Sequence, residues 1–145
     1  MIELYIPVEA DYDEITEVWE ASVRATHDFL SDADIINLKQ KIRTGYLYHV
    51  NLYTIKIGNS IVAFMGINDS NLEMLFVHPE MRGTGLGGKL LKYATGQLGV
   101  IYVDVNEQNP KALGFYKSKG FMVTGRSETD GEGMPFPLLH LKLKV

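Results

Sequence analysis

The densest candidate chemistry in the chain lies between Arg82 and Lys89, Arg-Gly-Thr-Gly-Leu-Gly-Gly-Lys, where Gly83, Gly85, Gly87 and Gly88 fall within six positions. Glycine permits positive φ and lets backbone N–H groups approach a ligand that a side chain would hold off. Where such a turn opens a helix, the unpaired N–H groups of the first turn and the helix dipole favour an anion. Gly83-Thr84-Gly85-Leu86-Gly87-Gly88 satisfies G-x-G-x-x-G, and Gly88-Lys89 is similar to the end of a P-loop. A P-loop needs a hydroxyl after its lysine to reach magnesium, and Leu90 stands there. A dinucleotide fold needs its first glycine at the strand end and more β-α units behind it. Here His78-Pro79-Glu80-Met81-Arg82 intervenes, and the residues after Gly88 spell strand, helix, hairpin once the helix at the turn has ended. The third frame is Arg82-x-x-Gly85-x-Gly87, with a strand before it and a helix after it. It reads as a cradle for a pyrophosphate, with a plain glycine-rich turn as the alternative on the loop alone.

Other reactive side chains are sparse. The chain has no cysteine, which excludes a thiol nucleophile, a disulfide frame and a thiolate-bound metal. His27, His49, His78 and His140 are scattered without metal-ligand spacing, so no metal is expected. The net charge of -4 and the lack of a dense Lys/Arg cluster argue against a nucleic-acid partner. No window is apolar enough for a membrane span, and Met1 to Ala10 does not read as a signal peptide. A cytoplasmic protein with one domain over residues 1–145 is expected.

These residues must be positioned by a regular scaffold. Met1 to Val8 alternates as a first strand. A helix from Asp11, with Asp11 and Glu14 as a cap pair, carries the stripe Ile15, Val18, Trp19 and Val23. A second helix begins at Ser31 with Asp34 three residues on, buries Ile35, Leu38 and Ile42, and ends at Gly45. Tyr46 to Ile57 and Ser60 to Ile67 form a hairpin about Gly58-Asn59, and Leu72 to Val77 is a short apolar strand. Thr84 to Leu98 reads as a helix, and Val100 to Val105 as a strand. A helix capped by Asn109-Pro110 stops at Gly120, and Phe121 to Thr124 and Leu138 to Leu143 form a terminal pair. The order β-α-α-β-β-β-α-β-α-β-β predicts an α/β (α+β) fold on a mixed sheet.

Two motifs in register now carry a family resemblance. Leu72 to Leu91 resembles the acyl-CoA-binding motif of the GNAT superfamily, the GCN5-related N-acetyltransferases. Asn109-Pro110-Lys111-Ala112-Leu113-Gly114-Phe115-Tyr116-Lys117-Ser118-Lys119-Gly120-Phe121 resembles its downstream motif. Ala25 to Leu30 and Thr124 to Glu128 are similar to a small bacterial subgroup. The resemblance implies a mostly antiparallel sheet of about seven strands with four helices and a splayed central parallel pair. It also implies acetyl transfer from acetyl-CoA, as co-substrate, to an amine.

Carried onto this chain, the resemblance places pantetheine against the backbone of Leu75, Phe76 and Val77. It places the pyrophosphate on Arg82, Gly83, Thr84, Gly85, Leu86, Gly87 and Gly88, and further cofactor contacts on Asn109, Ala112 and Tyr116. Tyr116 is implied as general acid for the departing thiolate, against the plainer reading of a core aromatic beside Phe115. Glu73, on a strand face with Asn71 and Leu75, is the candidate base, directly or through water, against an ordinary surface carboxylate. Trp19, His27 and Phe29 fall where the family builds its acceptor wall, although Trp19 also fits the buried stripe. The acceptor that the resemblance implies is a small-molecule or peptide amine. The alternative is a non-catalytic acyl-CoA-binding or sensor domain of the same fold. A homodimer through the terminal strands is compatible with the pattern.

Overall fold

The computed structural model describes residues 2–144; the expectation for Met1 lies outside them. Its seven strands form one sheet, β1 (Ile2–Tyr5), β2 (Asn51–Ile57), β3 (Ser60–Asn68), β4 (Asn71–Val77), β5 (Tyr102–Asn106), β6 (Phe121–Ser127) and β7 (Leu138–Leu143). Their order is β1-β2-β3-β4-β5-β7-β6. Every pairing is antiparallel except β4 with β5. Among the described residues four α-helices complete the fold: α1 (Tyr12–Thr26), α2 (Asp32–Thr44), α3 (Leu86–Gln97) and α4 (Pro110–Ser118).

Alternation along the central strands divides the apolar side chains between two cores. On one face, Ile15, Val18, Trp19 and Val23 of α1 pack with Ile35 and Ile42 of α2 against Leu52, Ile61 and Phe64. On the other, Leu86, Leu90, Leu91 and Ala94 of α3 and Tyr116 of α4 pack against Ala63, Met65, Ile67, Leu72, Val103, Val105 and Leu141. The sheet is thus covered on both sides, and β4 contributes to both cores.

Three local expectations differ from the fold. Asp11 and Glu14 do not form a capping pair: Asp11 Oδ2 accepts from Val8 N–H and Tyr5 Oη, each at 2.9 Å, and Glu14 accepts from Ile61 N–H at 3.0 Å. Asp11 is held instead by the turn before it and by Tyr5 of β1, and Glu14 by β3. β1 stops at Tyr5, and Val8 caps a short turn of 3-10 helix, Glu9–Asp11. Tyr46–His49 is a 3-10 turn rather than strand, because α2 ends at Gly45 and the chain must reverse before β2. Ser31 and Asp34 do form the expected reciprocal cap of α2, with Asp34 N–H donating to Ser31 Oγ and Ser31 N–H to Asp34 Oδ2, both at 3.1 Å.

The feature that positions the site is a bulge. Ile67 pairs with Leu72 and Gly66 with Met74, so Glu73 is an extra residue in β4. A bulge bends its strand and increases the local twist. The parallel pairing of β4 with β5 covers only Asn71–Tyr102 and Leu72–Val103. Beyond Leu72 the two strands part.

Candidate functional site

A cleft of about 690 Å³ fills the gap between the parted strands and runs to the N-terminus of α3. Its walls are Leu72 to Val77 of β4, Val103 to Asn106 of β5, the glycine turn, and Asn109, Ala112, Phe115 and Tyr116 at the start and middle of α4.

The bulge also resets the side-chain phase. Leu75 packs in the α3/α4 core as Leu72 does, three positions away, while Met74 and Phe76 face the α1/α2 core. Glu73 therefore does not share a regular face with Leu75, as alternation predicted; it sits at the break itself. The backbone is partitioned too. His78 N–H donates to Val62 C=O at 2.8 Å. Bonded pairs alternate along an antiparallel ladder. Phe76, two residues before His78, thus turns its backbone to β3, while Leu75 and Val77 direct theirs into the opening. Of the three residues expected to present backbone groups, two do so, and Phe76 lines the cleft without them.

The glycine turn follows from local demands. Gly83 and Gly85 have φ of +76° and +84°. A Cβ at either would meet nothing within 4 Å, so the constraint is the left-handed backbone rather than space. Gly85 caps α3 without any side-chain bond, and no acidic residue occupies the first turn. The first helical bond runs from Lys89 N–H to Gly85 C=O at 3.0 Å. The N–H groups of Leu86, Gly87 and Gly88 precede it and have no helical acceptor. Leu86 is 2% exposed and pins the turn to the core. Arg82 is exposed at its edge and donates to Ser22 C=O of α1 at 3.4 Å. Thr84 does not line the cleft; its hydroxyl donates back to Met81 C=O. Lys119, which the motif did not single out, brings Nζ within 3.3 Å of where a Cβ on Gly88 would stand. A second cation thus reaches the same turn from the end of α4.

Asn109 does two things at once. Its Oδ1 accepts from Ala112 N–H at 3.2 Å as a helix cap, and its Nδ2 lies 3.5 Å from His27 Nε2. Tyr116 is 7% exposed and packs edge-on against Phe115 and Phe121. Both readings of this residue hold in part, since it belongs to the core and to the cleft wall. Among the described residues no protein group bonds its hydroxyl, and none leaves a sealed side-chain polar atom unpartnered. The hydroxyl therefore keeps contact with the cleft. Burial pushes the phenol well above its ordinary pKa, so it keeps its proton through the neutral range.

At the mouth, burial raises the Glu73 carboxyl above the usual range, and the nearby charge of Asp104 on β5 adds to this. Asp104 Oδ1 is 2.7 Å from His140 Nδ1, and His140 Nε2 is 2.6 Å from Ser127 Oγ. Asp104 was not among the expected site residues; its signal is its outward phase between Val103 and Val105 on a strand beside the motif strand. His27 lines the cleft at the end of α1, and burial, aided by the charge of Arg82, lowers its pKa. Phe29 stands behind it, with ring centroids 5.2 Å apart. Trp19 must be withdrawn from the acceptor wall: it is 4% exposed in the α1/α2 core, as its helical stripe dictates, and does not line the cleft. Among the described residues no group of acidic or histidine side chains is arranged to hold a metal.

A bare helix N-terminus beside a strand that parts from its parallel neighbour is the geometry the resemblance implied. A family model described as "Acetyltransferase (GNAT) domain" matches residues 17–143. The chain belongs to the GNAT acetyltransferases. As a member it is an acetyl-CoA-dependent N-acetyltransferase. It is 40% identical over 130 residues to the peptidyl-lysine N-acetyltransferase YjaB of Escherichia coli K12, covering 89% of this chain and 88% of that protein. The solution structure of apo YjaB from E. coli superposes with a TM-score of 0.89 at 37% identity, covering 98% of this chain and 97% of that one. The PaiA N-acetyltransferase of Thermoplasma acidophilum, in complex with coenzyme A, superposes at 0.73 with 21% identity, covering 99% of each chain. That last likeness is one of fold. Within the GNAT fold, the cleft of this chain occupies the gap between the two central parallel strands.

Proposed function

We propose that the protein transfers the acetyl group of acetyl-CoA to a primary amine by direct attack within a ternary complex, and that the acceptor is the side chain of lysine in a peptide. The observation that carries this is the parting of β4 and β5 at Glu73 beside the bare first turn of α3. The name of its 40% identical relative supports lysine as the acceptor class.

The residues fit the co-substrate. The free N–H groups of Leu86, Gly87 and Gly88, with Arg82 and Lys119 beside them, suit a pyrophosphate. Gly83, Gly85 and Thr84 shape the turn. Leu75 and Val77 turn backbone groups to the pantetheine, and one N–H faces the thioester oxygen as charge develops there, an effect worth about 10²–10³-fold in rate. Asn109 and Ala112 border the same arm.

Glu73 takes the proton of the incoming ammonium, directly or through water; its raised pKa makes it a better base than a free carboxylate. The amine nitrogen then bonds to the acetyl carbon, and the carbon–sulfur bond breaks. Tyr116 gives its proton to the departing thiolate while the newly acylated nitrogen sheds its second proton to solvent, and before the next turnover the phenolate recovers a proton from solvent and Glu73 releases the one it took. His27, backed by Phe29, borders the acceptor's approach. Residues 1–145 act as one domain, in the cytoplasm, without nucleic acid or membrane; pairing through an edge strand to a homodimer belongs to the same reading. Among the described residues no helix is long and apolar enough to cross a membrane.

The test is a panel of lysine peptides and small amines, followed by mass spectrometry for acetylation and by release of free CoA. Acetylated lysine peptides without added magnesium are expected. Acetyl-CoA binding with no amine in the panel modified overturns the amine reading.

A further inference from the structure

The segment between β6 and β7, residues 128–137, has no part in the proton transfers or the co-substrate cradle. From Asp130 onward its sequence, Asp130-Gly131-Glu132-Gly133-Met134-Pro135-Phe136-Pro137, sets a glycine half against a proline half. The segment is internally organised. Asp130 Oδ1 accepts from the N–H groups of Glu132 and Met134, both at 2.9 Å, and Gly133 N–H donates to Asp130 C=O at 3.0 Å. Gly133 has φ of +75°, a turn that side-chain-bearing residues resist. Pro137 C=O is tied to Glu107 N–H at 2.9 Å, just past β5. The result is a preformed hook with one anchored end.

The hook leaves the β6/β7 end of the sheet and reaches the α2 side of the molecule. The Glu132 carboxylate meets Lys41 Nζ of α2 at 2.5 Å and also the Tyr46 hydroxyl just beyond α2. The Phe136 ring lies 5.9 Å from Phe29, the aromatic behind His27. Gly131 lines the cleft, as does Leu138 at the start of β7 where the hook ends, so the hook crosses the mouth rather than standing aside from it. The contacts that close it are light. Lys41 and Glu132 keep 40% and 33% of their side-chain surface. Exposed ion pairs of this kind are weak and are screened by salt. A permanent staple between distant elements would be buried; a half-exposed pair on a glycine-containing loop is suited to opening.

We infer that residues 128–137 form a strap across the acceptor mouth, latched by Glu132 to Lys41 and Tyr46, which selects for slender acceptors. A free amine or a lysine in an extended peptide threads beneath the strap. A lysine on a folded protein surface is admitted when the latch opens. The inference rests on the amine-acetyltransferase reading, and its test separates the two.

The variants are Glu132→Lys, Lys41→Glu and the double charge swap. Neither residue contributes to the cofactor cradle or to proton transfer. Specific activity is compared on a short lysine peptide and on a folded protein rich in surface lysine. Each single variant should raise the ratio of folded-protein to peptide activity about two- to fivefold, the range that exposed ion pairs span. The double swap should return the ratio to the wild-type value, and added salt should raise it in the wild type alone. An unchanged ratio in both single variants overturns the strap, as does a double swap that fails to restore it. Hydrogen exchange of the backbone of residues 128–137 provides a readout independent of activity. Faster exchange in the single variants, reversed in the double, supports the latch, and equal exchange in all four proteins overturns it. Wild-type protein that acetylates neither probe overturns the amine reading, and the exchange data then decide the latch alone.

Discussion

The first turn of α3 and the mouth between Glu73, His27 and the strap face one another across a single cleft, and they are built by opposite means. The turn works with backbone. Its N–H groups are free because glycines at 85, 87 and 88 and the absence of a side-chain cap leave them so. The mouth works with side chains from the end of α1, from β4, β5 and β7, and from the α2 end that meets the strap. A backbone site is insensitive to most substitutions and sharply sensitive to the few that forbid its φ values. A side-chain site behaves the other way, since each group can be changed without altering the fold. On the proposed assignment, the enzyme can keep its co-substrate while its acceptor range is altered at the mouth.

The largest expected effect sits where the two halves meet. Tyr116→Phe should lower kcat about 10²-fold, the lower end for loss of a general acid, while acetyl-CoA affinity stays within about twofold. Stopped-flow turnover with calorimetric titration separates the two quantities. A parallel loss of affinity and rate would return Tyr116 to a packing role.

Next is the backbone half. Gly85→Val forces a β-branched residue into φ of +84°. Strain of this kind costs about 1–3 kcal/mol, so acetyl-CoA affinity should fall about tenfold or more with the circular dichroism spectrum retained. Leu75→Ala, which leaves the backbone in place, should weaken co-substrate binding less than Gly85→Val does. The reverse ranking would break the contrast between the halves.

The mouth gives a pH signature. Glu73 must be ionised to accept a proton, and its pKa is raised. Activity should therefore fall as pH drops through that raised value, at a higher pH than for an ordinary glutamate. Glu73→Gln should remove this acid limb and lower kcat/KM about tenfold or more. An acid limb that survives the substitution assigns the base elsewhere. Asp104→Asn should move the limb to lower pH, because a like charge has been removed.

The smallest effect is on stability. The His27 pKa is depressed in the fold, so the unfolded chain binds its proton first as pH falls. Stability linked to this group is present above the unfolded value of about 6.5 and declines as pH drops below it. His27→Gln should flatten the fall in Tm between about pH 7 and pH 5. A slope equal to wild type would mean that His27 titrates freely.

Much of the fold was legible in local signals. The hairpin about Gly58-Asn59, the Ser31–Asp34 cap, the Asn109-Pro110 start and the apolar stripes all sit within a few residues of the structure they specify. The misses at Glu14 and Trp19 come from contacts that local pattern does not carry. Glu14 looked like a cap residue and instead binds Ile61 N–H across to β3. Trp19 could be weighed for the acceptor wall only while the depth of its helix was unknown.

The sequence by itself determined the turn proposed to hold the co-substrate. A turn of left-handed glycines, a helix that begins there and an apolar strand before it are coded by consecutive residues and read out by backbone geometry. Tertiary structure decided the rest. The bulge at Glu73 appears only when β3 and β4 pair out of step by one residue. The Asp104–His140–Ser127 chain and the Glu132 latch join residues up to 91 positions apart. No local periodicity encodes such contacts, because side-chain chemistry at a mouth depends on which elements the completed sheet brings together.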